Sequence, residues 1–122
     1  MCACIRARYA ALVSRATASG IALTTVETLR DERRQRHLVH IGASRTMKSK
    51  HLPQPPHGLA LAVDCAPTEY LKHKSWVPRG KHWQALGDIA HEVGLKWGGY
   101  WVSFYDAPHL ELPACLCPGK AA

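Results

Sequence analysis

The chain lacks any run of about 20 apolar residues, the length a membrane-spanning helix requires, so membrane insertion is not expected. No secretory leader is expected either. Arg6 and Arg8 are followed only by a short apolar stretch, Tyr9 to Val13, which Arg15 interrupts. Synthesis in a cytosol is therefore expected, with a separate exit route if the protein acts elsewhere. No C-x-x-C pair is present. Cys2/Cys4 and Cys115/Cys117 are spaced C-x-C, and Cys65 makes an odd total of five. The cysteines read mostly as free thiols near the chain ends, suited to a reducing compartment; a terminal zinc site and an end-to-end disulfide are the alternatives. Internal repeats and linkers are missing as well, which makes residues 1–122 one expected domain.

Acidic side chains are few, nine against sixteen Lys and Arg, giving a formal charge of +7. An anionic partner fits that balance, whether nucleic acid, a membrane surface or a phosphate-rich envelope, and charge alone does not choose among them. A plain soluble surface fits equally well. Hydrophobic residues make up 47% of the chain, too many for disorder and enough for one core without disulfide staples.

Periodicity places a first helix over residues 5–18, with Ile5, Tyr9, Leu12, Val13 and Ala16 on one face, stopped by Ser19-Gly20. The β-branched run from Leu23 to Leu29 reads as a strand. Asp31 caps a second helix through His40, ended by Gly42. Residues 43–58, with Pro53, Pro55 and Pro56, read as loop. Leu59 to Cys65 is a buried strand with Asp64 near its end, and Thr68 to Lys81 a loop anchored by Trp76. Trp83 to Val93 forms a helix closed by Gly94; Trp97-Gly98-Gly99 is a turn. Trp101 to Phe104 and His109 to Leu112 are short strands, and the tail from Pro113 is expected to fray. This order gives an α+β fold, a small domain with helices packed on a short antiparallel sheet.

Two segments carry the chemistry. One runs from Ser49-Lys50-His51 to Asp64, the other is Asp106-Ala107-Pro108-His109. His51, Asp64 and His109 supply two imidazoles and a carboxylate, a donor set that suits one zinc with a position left for water. Asp106, three residues before His109, is a second carboxylate that can take a proton from that water. Taken singly, each has an ordinary structural explanation: a turn aspartate, a hydrogen-bonded histidine, an exposed loop histidine. The set points to metal-assisted hydrolysis.

The motifs occur in an order that resembles the M15 zinc peptidases, the family of D-Ala-D-Ala carboxypeptidases and phage L-alanyl-D-glutamate peptidases. Glu27-Thr28-Leu29-Arg30, Gln35, Gly42-Ala43-Ser44, Ser49-Lys50-His51, Gly58, Ala62-Val63-Asp64, Trp97 to Trp101 and Asp106 to Glu111 match in sequence, over a motif-bearing core of 23–112. The resemblance implies the Hedgehog/D-Ala-D-Ala peptidase-like fold. It implies Zn2+ held by His51, Asp64 and His109, and Asp106 as general base and then proton donor to the leaving amine. It implies that Arg30 faces the substrate's carbonyl or carboxylate, where a guanidinium stabilises an oxyanion. Ser49 would bind substrate or orient His51. Trp101, with Trp97, would form core and cleft wall, and Glu111 would support the site from behind. The implied substrate is the stem peptide of bacterial peptidoglycan, cut between L-Ala and D-Glu. The implied setting is a phage endolysin, a monomer made in the host cytoplasm and acting on the wall.

Some positions depart from the family pattern. The segment between His51 and Asp64 is longer than the compact spacing and contains Pro53-Gln54-Pro55-Pro56-His57. His57 lies at the compact spacing and is the rival ligand; His51 is preferred for the motif around it. Leu61 and Tyr100 replace polar residues common in relatives, which points to altered substrate contacts. Three alternatives stand beside the endopeptidase. One is a D,D-carboxypeptidase or dipeptidase of the same family, and another a non-catalytic peptidoglycan-binding domain. The third is a nucleic-acid-binding module using Arg33, Arg34, Arg36, Lys48 and Lys50, disfavoured because the aromatics cluster away from that basic run.

Overall fold

The computed structural model describes residues 1–42, 44, 49–55, 57–72, 81–101 and 106–117, with Tyr100 described by its backbone alone. Helix α1, Ala3–Ala18, buries Ile5, Tyr9, Leu12 and Ala16, the apolar stripe that its sequence spacing dictates. It starts earlier than expected, because Cys2 takes the N-cap position with an extended backbone. Gly20, at φ 85°, turns the chain out of the helix in a conformation that favours glycine.

Strand β1, Leu23–Glu27, is two residues shorter than its β-branched run suggests. The register with its neighbour slips between Thr25 and Glu27. Beyond the slip, the backbone bonds to a loop histidine instead of a strand: Thr28 C=O lies 2.7 Å from His51 Nδ1, and Arg30 N–H donates to His51 C=O at 2.7 Å. Helix α2, Glu32–His40, is capped as expected by Asp31, whose carboxylate accepts from Arg34 N–H at 2.7 Å, a bond worth about 1 kcal/mol. Gln35 is its buried residue.

Strand β2, Ala62–Pro67, begins later and ends later than expected, so Asp64 stands inside the strand and not at its end. The delay has a cause upstream: Leu59 bridges to Gln54, and Ala60 C=O is taken by Cys2 N–H at 2.9 Å. Helix α3, Thr68–Lys72, replaces the start of the expected loop; Trp76 lies outside the described residues. Helix α4, Lys81–Val93, packs Trp83, Leu86, Gly87, Ile89 and Ala90 inward and crosses α1. Strand β3 is Lys96–Trp97, a 3-10 turn covers Gly98–Tyr100, and β4 is His109–Glu111. Residues 102–105 of an expected strand lie outside the described set.

The four strands form one antiparallel sheet in the order β1-β2-β4-β3. Its core includes Trp83, Leu86, Ile5, Leu12, Leu61, Val63, Leu110 and Leu112. Gly87 lies directly beneath the Trp97 ring, where any Cβ would collide. The segment after Pro113 is not frayed as far as it is described: Cys115 and Cys117 are half-buried against the core. Among the described residues no helix is long and apolar enough to cross a membrane.

Candidate metal centre

Three strands place the site in one row. Glu27 of β1 pairs with Asp64 of β2, and Asp64 pairs with His109 of β4. The loop ahead of β2 brings His51 to the same point. The ligand atoms of His51, Asp64 and His109 all lie within 4.8 Å of one another. Asp64 Oδ1 is 3.1 Å from His51 Nε2 and 3.3 Å from His109 Nδ1. His57, the rival from sequence spacing, is exposed and belongs to a different cluster, with Cys2, Cys115 and Cys117.

The far nitrogen of each ring fixes what the near nitrogen does. His51 is 1% exposed, and its Nδ1 lies 2.7 Å from the Thr28 carbonyl. A carbonyl only accepts, so this nitrogen carries the proton and Nε2 presents a lone pair to Asp64. His109 Nε2 is 2.7 Å from Glu111 Oε1, which commits that nitrogen as the donor and leaves Nδ1 facing Asp64. Two ring lone pairs and a carboxylate oxygen thus converge. Such acceptors repel unless a cation joins them. A proton on His109 serves in the metal-free protein, and a metal ion would take its place. Tetrahedral zinc with N and O ligands has ligand–ligand edges of about 3.3 Å, close to the separations found here. The residues fit the ion.

The electrostatics follow. Burial pushes the Asp64 carboxyl up, but the hydrogen bond from protonated His109 outweighs it and holds Asp64 well below the usual carboxylate range. Burial opposes charge on His109, yet Asp64 and Glu111 raise it from 6.5 to about 9. Asp106 is pushed upward by burial and by the Asp64 charge. Its Oδ2 is 4.0 Å from His109 Nδ1, beside the cluster and one-third exposed.

Arg30 is 7% exposed and closely held. Its Nε and Nη2 donate to the two Glu27 oxygens at 3.1 and 2.7 Å, and Nη1 donates to Gln35 Oε1 at 2.6 Å. Gln35 in turn donates to Ser44 Oγ at 2.8 Å. Arg30 Nη2 also stands 3.8 Å from Asp64 Oδ2, so its charge bears on the carboxylate. Ser49 Oγ accepts from the His51 backbone N–H at 3.1 Å. The Trp101 ring lies 4.9 Å from that of His109 and is 37% exposed, as a cleft wall would be.

The Asp106–His109 segment is built against Trp97 and Gly98. Trp97 Nε1 donates to Ala107 C=O at 2.6 Å, and Asp106 N–H donates to Gly98 C=O at 3.1 Å. A Cβ on Gly98 would meet the Asp106 carbonyl oxygen and the His109 Cβ. Sequence reasoning missed the Thr28 carbonyl and the Glu27 grip on Arg30. The first carries no side-chain signal; the second was visible only as the fixed spacing of Glu27 and Arg30.

Known proteins resemble this chain in sequence and in fold. A family model of M15 peptidases, described as D-alanyl-D-alanine carboxypeptidase, matches residues 44–112. The L-alanyl-D-glutamate peptidase of Listeria phage A118 is 33% identical over 97 residues, covering 76% of this chain. The chain spans only 31% of that relative's length. The crystal structure of the Serratia marcescens L-Ala D-Glu endopeptidase ChiX matches with a TM-score of 0.50 at 30% identity, covering 75% of this chain and 67% of that one. Two neighbouring strands and a loop set an aspartate and two histidines around one point, and the family match spans the segment that carries them all; the chain belongs to the M15 family of peptidases.

Proposed function

We propose that the protein is a zinc-dependent peptidoglycan peptidase that cuts stem peptides between L-Ala and D-Glu, and that it serves as a phage endolysin in cell-wall lysis. The observation that carries the reading is the convergence of His51 Nε2, His109 Nδ1 and Asp64 Oδ1, with Asp106 alongside. The phage and Serratia relatives, both L-Ala/D-Glu peptidases, support the choice of bond.

His51, Asp64 and His109 would hold the metal. When bound, it supplies an acidified water and a Lewis acid for the scissile carbonyl. Asp106 accepts the proton of the attacking water and returns it to the leaving amine, one carboxylate serving both steps in turn. Arg30, locked by Glu27 and Gln35, contributes fixed positive charge that steadies Asp64 and favours a developing oxyanion. Ser49 holds the His51 main chain, and the exposed Trp101 face lies beside His109 as a wall for the peptide. The basic run of α2 is partly neutralised, since Arg34 pairs with Glu27 and Arg36 with Glu32, which weakens a nucleic-acid role; Lys48 lies outside the described residues.

A second reading rests on the family model's description: a D,D-carboxypeptidase that removes the terminal D-Ala. A digest of purified peptidoglycan, read by mass spectrometry, separates the two. New L-Ala carboxyl and D-Glu amino ends, absent with Asp106→Ala and with chelator, support the endopeptidase. Release of free D-Ala favours the carboxypeptidase. No new product from zinc-loaded protein overturns both.

A further inference from the structure

A second set of donors converges away from the site just described. Cys2, at the head of α1, is 2% exposed. Its Sγ lies 3.5 Å from that of Cys115 and 3.4 Å from that of Cys117. Cys4 Sγ stands at the rim, 3.6 Å from Cys2 and 4.0 Å from Cys115. His57 completes the group: the ligand atoms of Cys2, His57, Cys115 and Cys117 all lie within 4.8 Å of one another.

The spacing suits a metal. Zinc–sulfur bonds of about 2.3 Å in a tetrahedron set sulfur–sulfur edges of about 3.8 Å. Cys2 Sγ stands 3.5 and 3.4 Å from Cys115 and Cys117 Sγ, a few tenths of an ångström inside that length. A single disulfide would use two sulfurs and leave the other thiols and the imidazole without a purpose; all five cysteines are free. Three thiols and an imidazole are also softer donors than the His51, Asp64 and His109 set, so the two clusters are chemically distinct.

We propose that Cys2, Cys115, Cys117 and His57 form a structural zinc site that ties together three distant segments of the chain. The first is the start of α1, already held by the bond from Cys2 N–H to Ala60 C=O. The second is the segment after β4. The third is the proline-rich loop between His51 and β2. That loop is braced at its base, where Gln54 Nε2 donates to the Ser49 and Leu52 carbonyls and Gln54 bridges Leu59. Gly58, at φ 66°, provides the left-handed turn next to His57. Holding His57 therefore anchors the far end of the loop whose near end carries Ser49 and His51. Filling the site requires the thiols to ionise, so zinc uptake releases protons and couples to folding.

The test uses the full chain purified under reductant. Loaded with Zn2+, it is expected to hold two equivalents by elemental analysis, falling to one in Cys115→Ser/Cys117→Ser and to one in Asp64→Ala. Loaded with Co2+, the wild type and Asp64→Ala show a sulfur-to-cobalt charge-transfer band, and the cysteine double variant does not. His57→Gln is expected to shift that spectrum and to weaken zinc retention against a chelator. A wild-type cobalt spectrum without the sulfur band overturns the site even if no variant folds. So does a metal content unchanged by the cysteine substitutions. A His57→Gln protein with the wild-type spectrum and retention overturns His57 as fourth ligand in favour of Cys4. Because the spectral readout is independent of turnover, failure here and failure of the peptidase reading are distinguishable.

Discussion

Asp64 and His109 are register partners across β2 and β4, and His109 Nδ1 stands 3.3 Å from Asp64 Oδ1. A directly opposed pair in an antiparallel sheet has little freedom to separate. The sheet thereby sets two of the three candidate ligands before any ion arrives, and His51 comes in from a loop to complete them.

Glu111 is the lever on His109. Its Oε1 sits 2.7 Å from Nε2 and keeps the lone pair on Nδ1. Glu111→Ala is expected to weaken zinc binding at this site about 10–100-fold, the usual effect of losing such a partner. Glu111→Gln keeps an acceptor and should lose less. Recovery of activity against free zinc concentration measures both; equal recovery curves for wild type and Glu111→Ala would sink the assignment.

The pH behaviour of the metal-free protein follows from the two shifted groups. His109 is raised from 6.5 to about 9, so its contribution is complete below pH 6.5 and disappears as pH climbs through 9. Asp64 is depressed, so its contribution is present above the ordinary carboxylate range near about pH 4 and disappears in stronger acid. Denaturant midpoints of metal-free protein should therefore level off between about pH 5 and 6.5 and decline toward 9. Zinc affinity should run the other way, rising over that upper interval as the ion displaces the His109 proton. Stability that climbs from pH 6.5 to 9 without metal would contradict this account.

Arg30 is expected to reveal itself through stability as well as turnover. Arg30→Ala removes three hydrogen bonds from a half-buried network, leaving Glu27 paired with Arg34 and taking one donor from the Gln35 amide oxygen, at a cost of about 1–3 kcal/mol. Arg30→Lys keeps the charge but not the fork that meets both Glu27 oxygens. Comparing unfolding midpoints with kcat/KM separates the roles. Stability restored by lysine without restored turnover marks a part in catalysis, and unchanged stability in the alanine variant refutes the positioning role.

Gly98→Ala asks whether the backbone contact matters. Its Cβ would press on the Asp106 carbonyl and lie 3.1 Å from both the Asp106 and His109 Cβ atoms. Moving either side chain by about an ångström is expected to cost about 100-fold in kcat, with the fold preserved by circular dichroism. Full activity would show that this segment yields more easily than the packing suggests.

How much of this could be read from the residues depends on what each feature is made of. That His51, Asp64, Asp106 and His109 lie together was legible because the short motifs around them follow one another in a recognisable order. The α1 and α4 stripes and the Asp31 cap were legible because local spacing alone produces them. The interior position of Asp64 was not, because the start of β2 depends on Cys2 taking the Ala60 carbonyl from another part of the chain. The motif around His51 already favoured it over His57, but the place His57 takes was hidden, because the thiols near it come from segments up to 115 residues apart in sequence. The short β1 arises from a slip at Glu27 that no propensity marks.

The two imidazoles differ in what mutation can do to them. His109 takes its orientation from a carboxylate that a single codon change can erase. His51 takes its orientation from the Thr28 carbonyl, which every amino acid supplies. Position 28 is thus free to drift in identity while the bond survives, and only damage to the path of the chain there can break it. Half of the centre's alignment is heritable through backbone shape, the other half through one acidic side chain.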